Sequence, residues 1–168
     1  GVEDTILFNN TIDSNDYSGI VITESSNNKI IQNIIKGNGK YGIQILNDAT
    51  KSANNTIKDN TINDNSDIAI FNHGIFTKII NNTIKYNEQD GIKIALEGAR
   101  TTISSNNLVD NEGKSIIILA KNVAVSSNTI DADSSEIAIS ILNANFASIE
   151  NNSIEGGNLG VKVQNSTS

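Results

Sequence analysis

The chain has 168 residues and a formal net charge of −7, and its 12 basic residues are scattered along the sequence. Nucleic-acid binding depends on clustered basic charge, so DNA and RNA are poor candidate partners. Cysteine is absent, which excludes disulfides, a thiol nucleophile and cysteine-ligated metal sites. No apolar run approaches the roughly 18 residues that a membrane span needs.

Asparagine and isoleucine dominate the composition, with 28 and 30 residues respectively. Asparagine favours turns, and β-branched isoleucine favours strands. This bias predicts many short strands joined by tight corners, in a single domain over residues 1–168.

In chain order, the sequence repeats the pattern Ile-x-x-Asn-x-Ile-x-x-Asn seven times, with Leu or Val at some of the isoleucine positions and with Asp133 and Gly157 in place of the last asparagine in the final two repeats. Its first asparagines are Asn10, Asn33, Asn60, Asn82, Asn106, Asn128 and Asn152. Each repeat continues into a further short strand, usually a small residue followed by Ile-x-Ile, at 19–22, 42–45, 69–70, 91–94, 115–118, 138–141 and 160–163. Three strands per repeat predict a triangular solenoid of seven coils.

The asparagine positions follow from the alternation of side chains along a strand. Ile57 and Ile62 are five residues apart, so both point inward only if the chain bends between them. We predict that the bend lies at Asn60, because asparagine tolerates left-handed backbone angles. The asparagine amide can both donate and accept hydrogen bonds. We therefore also predict that the first asparagines of the seven coils form a hydrogen-bonded ladder from coil to coil.

The resulting fold class is all-β, a right-handed parallel β-helix about 30 Å long. The alternative of a disordered asparagine-rich tract does not account for a pattern that stays in register. An α-solenoid is excluded because leucine and alanine at helical spacing are scarce.

Segments 60–65 and 38–45 resemble coils of the pectin-lyase-like superfamily, including mannuronan C5-epimerases, NosD-type periplasmic proteins and phage tailspike stems. The resemblance implies a polysaccharide partner and an extracellular, cell-surface or periplasmic location. The chain departs from the family in two motifs. It has no proline, so the Asp-Pro-His-Glu motif of the epimerases is absent, and the calcium-binding nonapeptide repeats are missing.

The edge between the third strand of one coil and the first strand of the next varies most in length, and variable loops commonly carry function. We predict the site there. The catalytic candidates are His73, Glu97 and Arg100, a base, a carboxylate and a cation suited to proton abstraction beside a uronate carboxyl. The substrate-binding candidates are Asp48, Lys51, Phe71, Phe76 and Lys121. The alternative is that all eight are ordinary solvated loop residues.

No cofactor is predicted, although corner aspartates such as Asp131 and Asp133 are candidates for weak calcium binding, or else plain solvated acids. Two functions stay open: a β-helix that binds or processes polysaccharide, and a structural stalk, adhesin or filament subunit. The repeat begins within about five residues of Gly1 and continues to Val163, which leaves no room for capping helices. We therefore expect a segment of a longer protein, or coils that self-associate end to end.

Overall fold

The computed structural model describes residues 3–46 and 52–166. These residues form twenty-one short strands, and none of them lies in a helix. Each coil contributes one strand to each of three seven-stranded parallel sheets. Sheet A contains β1 (Ile6–Phe8), β4 (Lys29–Ile31), β7 (Thr56–Lys58), β10 (Lys78–Ile80), β13 (Thr102–Ser104), β16 (Ala124–Ser126) and β19 (Ser148–Glu150).

Sheet B contains β2 (Thr11–Asp13), β5 (Ile34–Lys36), β8 (Thr61–Asn63), β11 (Thr83–Lys85), β14 (Asn107–Val109), β17 (Thr129–Asp131) and β20 (Ser153–Glu155). Sheet C contains β3 (Ile20–Thr23), β6 (Ile43–Leu46), β9 (Ile70–Asn72), β12 (Ile92–Ile94), β15 (Ile116–Ile118), β18 (Ile137–Leu142) and β21 (Leu159–Gln164). The predicted three-stranded coil is therefore confirmed, and the chain forms a parallel β-helix. None of the described residues forms a helix able to cross a membrane.

The core consists of aliphatic columns that run along the axis of the solenoid. In sheet B, Ile62, Ile84, Leu108 and Ile130 occupy equivalent positions in successive coils and are buried, as the repeat predicted. Burying each such side chain is worth about 1.5–3 kcal/mol, so the columns supply much of the driving force for folding.

The predicted asparagine ladder is confirmed along its whole length. The Nδ2 of each ladder asparagine donates to the Oδ1 of the next, at 2.9 Å from Asn60 to Asn82 and 2.9 Å from Asn82 to Asn106. The same Oδ1 atoms also accept the backbone N–H of the preceding ladder residue. Asn10, Asn33, Asn60, Asn82, Asn106, Asn128 and Asn152 all take part.

The bend lies one residue earlier than predicted. The left-handed residue is the one before each ladder asparagine, with φ of 57° at Asp59 and 53° at Asn81. The equivalent residues in the other coils are Asn9, Gln32, Ser105, Ser127 and Asn151. The ladder asparagine is therefore selected for its amide, and the conformational preference acts on the residue beside it.

A second ladder follows the corner between sheets B and C. Asn15, Asn38, Asn65, Asn87 and Asn111 are linked by Nδ2–Oδ1 hydrogen bonds of 2.8 Å. It ends in the sixth coil, where this turn is one residue longer and Ser135 donates to the carbonyl of Asn111 at 3.0 Å. The sequence shows these asparagines in the repeat, but we predicted a ladder only for the first column.

Small residues precede each strand of sheet C because a side chain there meets the core. A Cβ on Gly91 would lie 2.7 Å from the carbonyl oxygen of Ser115 and 3.0 Å from Leu108. Ser115 fills the equivalent position one coil further on. Its hydroxyl is buried without a hydrogen-bond partner.

Ser115→Ala is expected to raise the free energy of unfolding by about 1 kcal/mol, because it removes an unsatisfied buried hydroxyl and retains the Cβ. Urea unfolding followed by circular dichroism measures this change. Gly91→Ala serves as the opposite case and is expected to lower stability through its clash with the carbonyl. A destabilised Ser115→Ala protein would contradict the assignment.

Candidate functional site

The outer face of sheet C carries the side chains that alternate with its buried isoleucines. Successive coils present Val21, Gln44, Phe71, Lys93, Ile117, Ser140 and Lys162 in one column. Phe71 therefore lies between Gln44 and Lys93 in the middle of the sheet. Its position follows from the parity of β9, where Ile70 and Asn72 point inward and are buried.

Three rings form an aromatic cluster, defined here as Tyr41, Phe71 and His73. The ring centroids of Tyr41 and Phe71 lie 5.3 Å apart, and His73 meets Phe71 edge-on at 4.4 Å. Two ammonium groups flank these rings. The Nζ of Lys40 lies 5.0 Å from the Tyr41 centroid and that of Lys93 lies 5.6 Å from the Phe71 centroid. The cluster thus combines an apolar surface with positive charge.

Burial raises the pKa of Tyr41, and the negative charge of Asp67 raises it further. The folded state therefore favours the neutral phenol more than the unfolded chain does. The stability from this difference is present below the ordinary tyrosine pKa and is lost as pH rises through the raised value.

Tyr41→Phe is accordingly expected to lose less stability at strongly alkaline pH than the unmodified chain. Urea unfolding at a series of pH values from neutral to alkaline measures the difference. Parallel pH profiles for the two proteins would contradict the burial of this hydroxyl.

His73 and Glu97 form a polar pair beside the rings. The Nδ1 of His73 lies 3.1 Å from Oε2 of Glu97, between adjacent coils. With Nδ1–H donating to the carboxylate, the lone pair of the neutral imidazole lies on Nε2. The side chain of His73 is 24 % exposed and that of Glu97 is 41 % exposed, so the pair is accessible to solvent.

The structure divides the predicted site residues into two groups. Phe71, His73 and Glu97 lie together at the aromatic cluster. Phe76 and Arg100 lie at the corner that leads into sheet A, at left-handed positions with φ of 52° and 59°. There the guanidinium carbon of Arg100 lies 5.2 Å from the Phe76 ring centroid.

The remaining predicted residues lie away from the aromatic cluster or cannot be placed. The backbone carbonyl of Lys121 accepts a hydrogen bond from the backbone N–H of Arg100 at 3.2 Å. Lys121 therefore belongs with Phe76 and Arg100 at the corner that leads into sheet A. Asp48 and Lys51 lie outside the described residues.

Sequence reasoning missed Lys40 and Lys93, and it did not place Tyr41 beside Phe71. The signal was present for Lys93, which is the outward residue of Ile92-Lys93-Ile94. For a metal, the described ranges 3–46 and 52–166 contain no group of three or more His, Cys, Asp or Glu side chains placed to hold an ion.

Comparison with protein families gives a match over the whole chain. The family described as "Right handed beta helix region" matches residues 1–78 and 76–168. The chain belongs to this right-handed β-helix family. No curated protein sequence matches it.

Solved structures share the fold of this β-helix at low sequence identity. The A-module of mannuronan C-5 epimerase AlgE4 from Azotobacter vinelandii aligns with a TM-score of 0.76 and 16 % identity, covering 99 % of this chain and 58 % of that one. A double mutant of the periplasmic alginate epimerase AlgG aligns at 0.71 and 16 %, covering 99 % and 46 %. PfbA, a surface adhesin of Streptococcus pneumoniae, aligns at 0.68 and 16 %, covering 98 % and 53 %. The chain thus spans about half the length of the structures it matches.

Proposed function

We propose that this β-helix binds polysaccharide on the outer face of sheet C, in the cell envelope or outside the cell. The observation that carries the proposal is the aromatic cluster. Its rings lie on a flat face of regularly spaced parallel strands, and Lys40 and Lys93 flank them. The polysaccharide epimerases and the adhesin that share the fold support a carbohydrate-related or surface role.

The chemistry of the cluster suits a sugar. A pyranose ring has an apolar face that covers an aromatic ring and releases water from it. Its hydroxyls then need donors and acceptors around that ring, and Gln44, His73 and Glu97 supply them. The ammonium of Lys93 adds attraction for an acidic sugar.

The test is the affinity of the purified chain for a panel of neutral and acidic polysaccharides, measured by isothermal titration calorimetry. Phe71→Ala is expected to weaken binding at least tenfold, which corresponds to about 1.4 kcal/mol and is typical of an aromatic anchor. Phe146→Ala is the matched control, because Phe146 is an exposed phenylalanine at the corner that leads into sheet A, whereas Phe71 lies on the outer face of sheet C. Equal affinities for both variants would contradict the site, and no binding to any polymer would contradict the function.

The His73–Glu97 pair favours a second candidate function, proton abstraction from a uronate. The Nε2 of His73 would take the proton from the carbon beside the carboxyl, while Glu97 holds the imidazole in the required tautomer. The electron pair left behind would spread into the carboxylate, whose charge Lys93 would stabilise. Return of a proton to the opposite face would give the epimer, and expulsion of the neighbouring glycosidic oxygen would give an unsaturated sugar.

A further inference from the structure

The outer face of sheet A is positively charged in a protein whose net charge is −7. Lys29, Lys58 and Lys78 point outward from β4, β7 and β10 and are exposed. Arg100 and Lys121 lie exposed on the corner beside this sheet. These five residues are named here the basic face.

Acidic residues are rare on the strands of this face, and the exposed acids Asp4 and Glu97 lie on the corner that also carries Arg100 and Lys121. The described strands of sheet A carry no acid before Glu150 in β19. Asp59, at the far corner, lies 3.4 Å from the Nζ of Lys58 and also accepts a hydrogen bond from Asn81 at 2.7 Å. Within residues 3–46 and 52–166, Lys29, Lys78 and Arg100 form no salt bridge. At about 0.1 M salt, charges more than about 10 Å apart are screened, so a ligand on this face responds mainly to these local cations.

The register fixes the spacing of the charges. Lys29 pairs with Thr56 and Thr56 pairs with Lys78, so the two lysines stand two coils apart in one column, about 9.6 Å along the axis. Thr102 continues the column, so ammonium and hydroxyl groups alternate from Lys29 to Thr102, and Ile6 and Ala124 stand at the two ends of that run. Lys58 lies in the neighbouring column, between Ile31 and Ile80.

This alternation points to one class of ligand. Double-stranded DNA carries one charge per about 1.7 Å and is bound by dense arrays of cations, which this face lacks. Sparse lysines alternating with hydroxyls match a linear polymer that carries one anionic group about every 10 Å, with neutral hydroxylated units between. We propose that the basic face binds, along the solenoid axis, an anionic polysaccharide in which acidic and neutral sugars alternate.

Arg100 extends the face by one coil and is preorganised. Its guanidinium is held over the ring of Phe76, with the centroid 5.2 Å away, and such stacking leaves the in-plane N–H groups directed outward. A planar guanidinium pairs with a carboxylate through two parallel hydrogen bonds. The basic face is therefore suited to carboxylates, and it is separate from the aromatic cluster on sheet C.

The experiment measures the affinity of the whole chain for hyaluronan, whose carboxylates occur on every second sugar, by calorimetry at low and at physiological salt. Lys29→Gln combined with Lys78→Gln is expected to weaken binding at least tenfold. The control is Lys36→Gln combined with Lys85→Gln, which removes the same charge at the same two-coil spacing from sheet B. That control is expected to bind normally, because Lys36 is already paired with Asp13 at 3.3 Å.

Three results would overturn the proposal: no binding of hyaluronan by the unmodified chain, equal losses in both double variants, or equal binding of duplex DNA. Phe71→Ala separates this site from the one on sheet C. A loss of hyaluronan binding in Phe71→Ala with none in the lysine pair would assign the polymer to the aromatic cluster. A loss in the lysine pair with normal binding in the sheet B control supports the basic face, whether or not Phe71→Ala also weakens binding at the aromatic cluster.

Discussion

Asn106→Leu is expected to lower the free energy of unfolding by about 3 kcal/mol, because it leaves buried polar groups without partners. The Oδ1 of Asn106 accepts both the backbone N–H and the Nδ2 of Asn82, each at 2.9 Å. Its Nδ2 donates to the carbonyl of Ile79 at 2.9 Å and to Asn128 at 3.0 Å. Leucine has a similar volume but neither donor nor acceptor, so the backbone N–H of Asn82 loses its only described acceptor.

The next residue supplies the matched control. Asn107 is the first residue of β14, its side chain is exposed, and Asn107→Leu is expected to change stability by no more than about 0.5 kcal/mol. Urea unfolding monitored by circular dichroism measures both variants. Similar losses in the two proteins would show that any leucine disturbs this coil, and the ladder would then have no special energetic role.

The coil and its core could be predicted from sequence because each depends on a strict period. Inward isoleucines five residues apart require a bend, and a polar residue recurring at that bend requires a partner in the adjacent coil. The position of the left-handed residue could not be read the same way. Asparagine occupies it in three coils, but glutamine, aspartate and serine occupy it in the other four, so no single residue type marks the position.

The candidate site could be predicted only in part. Alternation along β9 places Phe71 outward, and the turns that follow β9 and β12 bring His73 to Glu97. Sequence spacing does not give the path of those turns, so it could not show that Arg100 ends over Phe76 at the next corner, away from His73. The cation beside the aromatic cluster is instead Lys93, whose Nζ lies 5.6 Å from the Phe71 ring centroid.

The fold explains why function must be sought on the outside of the sheets. Ladders and aliphatic columns hold the coils together from within, and the outward residue of each short strand lies outside that core. Structures with 16 % identity to this chain retain the same solenoid with TM-scores up to 0.76. Fold alone therefore does not carry the activity, which depends on which outward side chains meet across coils.

If the His73–Glu97 pair abstracts a proton, His73→Gln is expected to lower kcat on a uronate polysaccharide at least 100-fold, because glutamine keeps the size and polarity but cannot accept the proton. Glu97→Gln is expected to lower kcat about tenfold, since the carboxylate holds the imidazole in the required tautomer. Lys93→Gln is expected to act mainly on KM. Arg100→Gln is the comparison and is expected to leave kcat unchanged, because that guanidinium lies over Phe76, outside the His73–Glu97 pair; its effect is expected on binding of the polymer to the basic face.

The measurement combines absorbance of the unsaturated product with exchange of the carbon-bound proton into deuterated water, so that lyase and epimerase outcomes are both detected. Loss of turnover in Arg100→Gln with retention in His73→Gln would reverse the assignment of the two groups. Absence of both signals in the unmodified chain would contradict catalysis. The binding function would still be tested separately, by the calorimetric comparison with Phe71→Ala. Binding without turnover is then the expected behaviour of a histidine that serves only as a polar edge of the aromatic cluster.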